Sequence, residues 1–194
     1  MLHNRLKAYN LILASASPRR HEFLRSMLLD FEIKVPDVEE VYPEHLSKEA
    51  ITDYLARLKA ASLKNALGPK DILITSDTIV WHKDRAIEKP KNDLDAFNMI
   101  KTLSGDTHEV ITSICITTIK TQITKNTITK VTFRNLEDEE IKFYVDKYQP
   151  LDKAGAYGIQ EWIGAVGITK IEGSYNNVVG LPTHLLYETL NAIA

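Results

Sequence analysis

Along this chain the apolar positions switch between two periods, and the switches mark out the elements. Leu11, Ile12, Leu13 and Ala14 form a short apolar run of the length a buried strand takes. Ser15, Ala16 and Ser17 interrupt it, Ser17 suits an N-cap, and Pro18 suits the first helical position, where its missing N–H costs nothing. Phe23, Leu24, Met27 and Leu28 then recur at helical spacing, with Arg19, Arg20, Glu22 and Arg25 off that face. The residues from Phe31 to Val35 alternate and predict a strand with one buried face, ended by Pro36. An acidic, irregular stretch, 37–45, follows. From Ser47 the pattern is helical again, with Ile51, Tyr54, Leu55, Leu58 and Ser62 inward, Lys59 beside that stripe, and Gly68 and Pro69 as the stop.

The run 71–81 reads as a strand, apolar on both sides of the polar interruption Ser76-Asp77-Thr78. Lys83, Asp84 and Arg85 suggest a turn, and Ala86, Ile87 and Glu88 a short returning strand. A helix from about 93 puts Leu94, Phe97, Ile100 and Leu103 inward, with Gly105 as its C′ residue. The stretch 108–133 is dense in Thr, Ile and Val and predicts a long hairpin turning at 120–126. Residues 137–148 predict a helix with acids in its first turn and Ile141, Tyr144, Val145 and Tyr148 inward, stopped by Pro150. A glycine-spaced segment, 152–160, precedes strand-forming apolar residues at 165–171, a loop at 173–177, and a last helix opened by Gly180-Leu181-Pro182 and carrying Leu185, Leu186 and Leu190. Helices follow most of the early strands and a hairpin sits in the middle. The expected fold is α/β or α+β: a mixed twisted sheet flanked by helices, with two lobes and a cleft between them, in a single domain over 1–194.

Composition narrows the function classes. Lys plus Arg number 24 and Asp plus Glu 26, a formal net charge of −2, which argues against a non-specific nucleic-acid binder. The one cysteine, Cys115, excludes an intrachain disulfide and a cysteine-rich zinc site, and lies in an apolar run as an inert buried thiol would. The six histidines have no metal-ligand spacing. No apolar stretch approaches membrane-spanning length and the N-terminus has no signal-peptide core, so a soluble cytoplasmic protein without a membrane partner is expected.

The candidate chemistry begins at Arg19 and Arg20. Cations are out of place in the first turn of a helix, whose N-terminus already carries partial positive charge. An exposed arginine pair on a surface helix is one reading. The other is an anion held by free N–H groups and guanidinium forks together, which the small-residue turn before them favours. Asp77 lies in an otherwise buried strand, where a carboxylate costs several kcal/mol (roughly) unless it is paired or metal-bound. Lys59 is either a snorkelling side chain or one that reaches a site at the sheet's edge. Pro90 gives Lys89 an extended backbone and so a direction. Lys153 and Gln160 bracket the glycine-spaced segment, and the loop containing Glu39 and Glu40 can supply a metal ligand. Cations converging with carboxylates suit a metal-assisted phosphate enzyme. Neither GxxxxGK[ST] nor GxGxxG occurs, so a P-loop NTPase and a Rossmann dehydrogenase are not supported.

Five segments in order, LASASPRR, SDTIV followed by EKP, LSGDTHEV, LDKAGAYGIQ and GSYNNVVGLP, resemble the Maf family of nucleoside triphosphate pyrophosphatases over 11–190. The resemblance implies a Maf or inosine-triphosphatase-like fold, hydrolysis of a nucleoside triphosphate to monophosphate and pyrophosphate, a divalent cation such as Mg²⁺ or Mn²⁺, and a cytoplasmic protein often found as a dimer. It implies Asp77 as proton acceptor, Arg19, Thr78 and Gln160 at specificity positions, Ser15, Arg20, Lys59 and Lys89 at phosphate-site positions, and Glu39 as an acid near the metal. The SDT and AGAYGIQ versions resemble the branch acting on dTTP and UTP rather than on methylated-guanine nucleotides. Glu161 departs from the pattern, where glycine is expected, beside Trp162. Neighbouring cations are expected to push the Asp77 pKa below ~3.9, which makes it a weak base and leaves it to orient a metal-activated water for attack on the α-phosphorus or to ligate the metal. A different class remains open: a nucleotide-sensing regulatory protein, linked to cell division, without significant turnover.

Overall fold

Local signals set most element boundaries. A computed structural model of the chain describes residues 1–193. A short helix α1 (Leu2–Arg5) leads to β1 (Asn10–Leu13), and Pro18 opens α2 (Pro18–Ser26) with Ser17 as N-cap. Then come β2 (Glu32–Ile33), α3 (Glu49–Lys64), β3 (Asp71–His82) and β4 (Arg85–Ile87). The β3–β4 turn is Lys83-Asp84, both at positive φ (48° and 58°), the twist a two-residue hairpin demands. Helix α4 (Asp93–Leu103) is capped by Asn92, whose side chain accepts from the Asp95 N–H at 2.9 Å. The strands β5 (Thr107–Thr117) and β6 (Gln122–Phe133) follow, then α5 (Asp138–Tyr148), whose N-terminus carries a reciprocal capping box between Glu137 and Glu140. The chain ends through α6 (Trp162–Gly167), β7 (Ile168–Glu172), α7 (Tyr175–Val179) and α8 (Thr183–Ile193).

Among the described residues the strands form one seven-stranded mixed sheet in the order β2-β1-β3-β5-β6-β7, with β4 paired to β3. β1 runs parallel to both β2 and β3, while β3–β4 and β6–β7 are antiparallel. Together with the flanking helices this is the mixed α/β sheet that the pattern predicts. The chain divides into two compact units, one of 1–77, 112–127 and the C-terminal stretch from Gly180, the other of 78–111 and 128–179.

The first unit buries Leu11, Leu13, Ile72 and Ile74 with Leu24 of α2 and Leu186 and Leu190 of α8 on one face of its strands. Ile12, Ala14 and Leu73 pack with Ala56 and Ala60 of α3 on the other. Parallel strands covered on both faces read as continuous apolar runs, as these do. The second unit gathers Ile100 and Leu103 of α4, Ile141, Tyr144 and Val145 of α5, and Val131, Phe133 and Tyr157. Within it His108 stacks on Phe133 (centroids 5.7 Å apart), meets Tyr157 edge-on at 5.4 Å, and places its Nε2 2.7 Å from the Tyr157 hydroxyl. No described helix is long and apolar enough to cross a membrane.

Several expectations need correction. The strand expected from Phe31 to Val35 shrinks to Glu32–Ile33, both exposed, because β2 is an edge strand with no layer over it. Leu94 points to solvent at 70 % exposure, since Ala96 rather than Leu94 faces the core. Residues 162–167 are helical, with strand only from Ile168, and the loop expected at 173–177 gives way to α7. On α3 the buried stripe is Ile51, Thr52, Leu55, Ala56, Lys59 and Ala60, rotated so that Lys59 is central and Ser62 is exposed.

His108 gives a testable consequence. Burial, with some help from the neighbouring His82 and against the pull of Asp106, lowers its pKa to about 3. The unfolded chain takes up this proton near ~6.5 while the folded chain does not, so stability falls as pH drops from that value toward about 3. The slope from one such group is at most about 1.4 kcal/mol per pH unit. Urea midpoints at pH 7, 6, 5 and 4 should fall less steeply for His108→Gln than for the unmodified chain, even though the variant starts lower at pH 7.

Candidate active site

The strand β3 places Leu73, Thr75 and Asp77 on one face by simple alternation, and that face meets α3. Two contacts one helical turn apart fix the meeting. The Thr75 hydroxyl donates to the Ala56 carbonyl at 2.7 Å, and the Lys59 ammonium donates to Asp77 Oδ1 at 2.7 Å. Both ions are buried, Lys59 at 6 % and Asp77 at 5 % exposure. Glu40, from the acidic loop, brings Oε1 to 3.1 Å from the same ammonium. Lys59 is therefore shared by two carboxylates rather than snorkelling to solvent.

Next to Asp77 on β3, Ser76 points to the other face of the strand, its Oγ buried with no hydrogen-bond partner. Its carbonyl accepts from Arg20 Nη1 at 2.7 Å, and Arg20 Nε donates to the Gly180 carbonyl at 2.9 Å. One guanidinium thus ties α2 to the backbone beside Asp77 and to the start of the last helical segment. Ser15 is buried at the turn before α2, where its Oγ accepts the Ser17 N–H at 3.2 Å and its carbonyl lies 2.8 Å from His21 Nε2. The Ser17 side chain makes no cap bond, so the serine two residues earlier organises the turn. Arg19 is half-buried in the first helical turn.

Electrostatics here run opposite to the sequence expectation. Burial raises the Asp77 pKa above the usual carboxylate value, and Glu40 adds to that push; Lys59 and Arg20 only partly oppose it. Desolvation outweighs the cations because both sides of the strand are covered. Arg20 is lowered from its ordinary value, first by burial and then by Arg19, with Asp77 and Glu40 pulling the other way.

Thr78, Lys89, Lys153 and Gln160 belong to the second unit. Thr78 continues β3 and is half-buried, Lys89 follows β4 and is exposed, and Gln160 is exposed. The segment 153–161 is packed by its glycines: Gly155 has φ +72°, a Cβ there would sit 2.9 Å from Val80, and its N–H donates to the Glu88 carbonyl at 3.1 Å. Lys153 is buried, with its ammonium 2.7 Å from Asp152 and 3.2 Å from Glu161.

For a divalent cation the donor set is partial. Among the described residues no three His, Cys, Asp or Glu side chains converge into a cage. Asp77 and Glu40 present hard oxygens on one ammonium, which fits a Mg²⁺-like ion held by one or two carboxylates and completed by substrate phosphates. Glu39, the expected acid, is exposed; its neighbour Glu40 reaches Lys59. Two adjacent acids in a loop carry no periodicity to separate them, and nothing in the pattern marks Thr75 as the clamp.

The architecture matches a known fold. The solved Staphylococcus aureus Ham1 protein superposes with a TM-score of 0.54 at 16 % identity, over 95 % of this chain and 100 % of that one. A family model described as Maf-like protein matches residues 10–193, so the chain belongs to the Maf family. It is 54 % identical over 193 residues to a Flavobacterium johnsoniae protein named dTTP/UTP pyrophosphatase, covering 100 % of both chains. A Bacteroides fragilis protein of the same name is 48 % identical over 194 residues, again over 100 % of both.

The shared ammonium predicts a stability pattern. Lys59→Met leaves Asp77 buried with no cation hydrogen-bonded to it and should cost about 3 kcal/mol in urea unfolding at pH 7. Adding Asp77→Asn should recover part of that loss, because the stranded charge is gone. Glu40→Gln, at a half-exposed partner, should cost less than about 1 kcal/mol.

Proposed function

We propose that this protein hydrolyses nucleoside triphosphates, dTTP and UTP foremost, to the monophosphate and pyrophosphate. The observation that carries the reading is the full-length identity of 54 % and 48 % to two proteins named dTTP/UTP pyrophosphatase. The buried Lys59–Asp77 pair supports it, because a raised carboxylate pKa beside a cation suits a group that takes a proton from water while tolerating phosphate charge nearby.

In this reading Asp77 accepts the proton of the water that attacks the α-phosphorus. Lys59, held between Asp77 and Glu40, turns toward phosphate oxygens as they arrive. Arg19 and the N-terminus of α2 take phosphate charge, with Ser15 shaping the turn. Arg20 holds the Ser76 carbonyl and so the backbone of Asp77. Lys89 neutralises the departing pyrophosphate. Thr78, Lys153 and Gln160 serve recognition of the nucleoside. A divalent cation, Mg²⁺ or Mn²⁺, held by Asp77 with Glu40 or Glu39, would screen the phosphates and acidify water. The protein acts in the cytoplasm as a homodimer, with no nucleic acid or membrane as partner, in clearing unwanted pyrimidine nucleotides.

The test is product identification with dTTP, UTP, CTP and GTP in the presence of Mg²⁺ or Mn²⁺. Pyrophosphate with monophosphate from dTTP and UTP is expected; orthophosphate with diphosphate would point to a γ-phosphatase, and binding without turnover to a nucleotide sensor. Asp77→Asn should lower kcat by at least about 100-fold, the lower end of what a general base contributes. Turnover near that of the unmodified chain at saturating metal would remove Asp77 from this role.

A further inference from the structure

The segment that carries Gln160 is closed on itself by a residue with no part in the chemistry above. Lys153 opens the segment and Glu161 ends it, and their charges meet at 3.2 Å, Lys153 being buried. The second oxygen of Glu161 accepts the Tyr144 hydroxyl of α5, and that hydroxyl in turn accepts the Gly158 N–H at 2.9 Å. Burial and the carboxylate beside it push the Tyr144 phenol well above its ordinary pKa, so it stays a donor. The chain of bonds therefore runs from both ends of the loop, through one carboxylate, to the loop's middle. Gly158 shows what it is for. A Cβ at that position would lie 2.8 Å from the Glu161 carboxyl carbon and 2.9 Å from Gln160 Nε2. The Gln160 amide and the Glu161 carboxylate lie side by side across the bare glycine, and Gly164 gives its own side-chain space to the Ile159 backbone.

We propose that Glu161 is a positioning residue that fixes where the Gln160 amide stands, and through it sets which nucleobase is accepted. The inference rests on the pyrophosphatase reading above. Glu161 touches no substrate; it holds the loop by charge at Lys153 and by hydrogen bond at Tyr144. A primary amide has a donor and an acceptor on one rigid plane, and matches a pyrimidine edge only when both are correctly turned. Loss of the clamp frees that plane to rotate, which weakens binding and discrimination but leaves Asp77 and Lys59 in place.

The experiment is steady-state kinetics with UTP, dTTP, CTP and GTP on the full chain, Glu161→Gln, Tyr144→Phe and Gln160→Ala, with thermal midpoints alongside. Glu161→Gln should raise KM for UTP and dTTP roughly five- to tenfold, the size of one lost hydrogen-bonded contact, with kcat within about twofold. The preference over CTP and GTP should narrow by a similar factor. Tyr144→Phe should move in the same direction, and it decides the matter if Glu161→Gln does not accumulate folded. In the Gln160→Ala background, Glu161→Gln should change the base preference no further. A lowered midpoint with KM and preference unchanged would overturn the inference alone, as would an undiminished effect in that background. An unmodified chain that releases pyrophosphate from no triphosphate would overturn this inference and the proposed function together.

Discussion

Much of the first unit is arranged around two opposite charges that have been taken out of water. Removing a carboxylate and an ammonium from solvent costs several kcal/mol each (roughly, after relaxation), and their mutual attraction repays this only with close geometry. Lys59 and Asp77 have that geometry at 2.7 Å, and it exists because α3 and β3 are already locked one turn away by Thr75 on the Ala56 carbonyl. A second tether crosses from Thr52 to Ser113 at 2.6 Å, and from Ser113 to Asp53 at 2.6 Å, so the helix is tied along its length. Arg20 fixes the other face of the same strand through the Ser76 carbonyl. An apolar pair of similar volume would serve stability as well or better. The surrounding hydrogen bonds are thus better understood as holding a costly electrostatic arrangement in place than as adding to a core.

The second unit solves a different problem. Its glycine-spaced segment has little side-chain volume to pack, so it draws rigidity from two phenols, its own Tyr157 and Tyr144 of α5. Tyr157 lies against His108 and Phe133, while Tyr144 accepts from Gly158 and donates to Glu161. Aromatic hydroxyls suit the task because the ring is buried as apolar surface while the oxygen serves the backbone. Gly155 completes the seating, its N–H on the Glu88 carbonyl beside Lys89.

How much of this the sequence discloses depends on whether an element is settled locally. The turn into α2 and the helix over 137–148 with acids in its first turn are each written in residues within a few positions of one another, and both stand where the pattern put them. The long hairpin is present too, but its turn is not at 120–126: β5 ends at Thr117 and β6 begins at Gln122, because the Thr118 N–H closes a short turn on the Thr121 carbonyl at 2.8 Å. β2 was overestimated because alternation at Phe31 to Val35 says nothing about whether a second layer covers the strand, and none does. At 162–171 apolar residues suit a strand or a short helix equally, and the tight approach of Gly164 and Gly167 to Ile159, Leu136 and Phe133 decides for helix. The candidate site was legible in residue type more than in geometry. Asp77 stood out as a carboxylate in an otherwise apolar strand and Lys59 only as a cation beside the helix's apolar stripe; its place as a central buried residue of α3 depends on contacts that no local period encodes.

The direction in which the Asp77 pKa moves shows most clearly why such a site resists reading from sequence. Counting neighbours, two cations against one acid, gives a depressed pKa; the structure gives a raised one. The difference lies in burial, which acts on Asp77 from every direction while each cation acts from one. A carboxylate in this position is also poised against further negative charge, since Lys59 is already divided between Asp77 and Glu40. Phosphate oxygens competing for that ammonium would weaken its hold on Asp77, and Coulomb repulsion between phosphate and carboxylate would raise the proton affinity further. On the pyrophosphatase reading, incoming phosphate charge and the divalent cation would then act on Asp77 in opposite senses, and the sharing of one lysine by two acids sets where that balance starts.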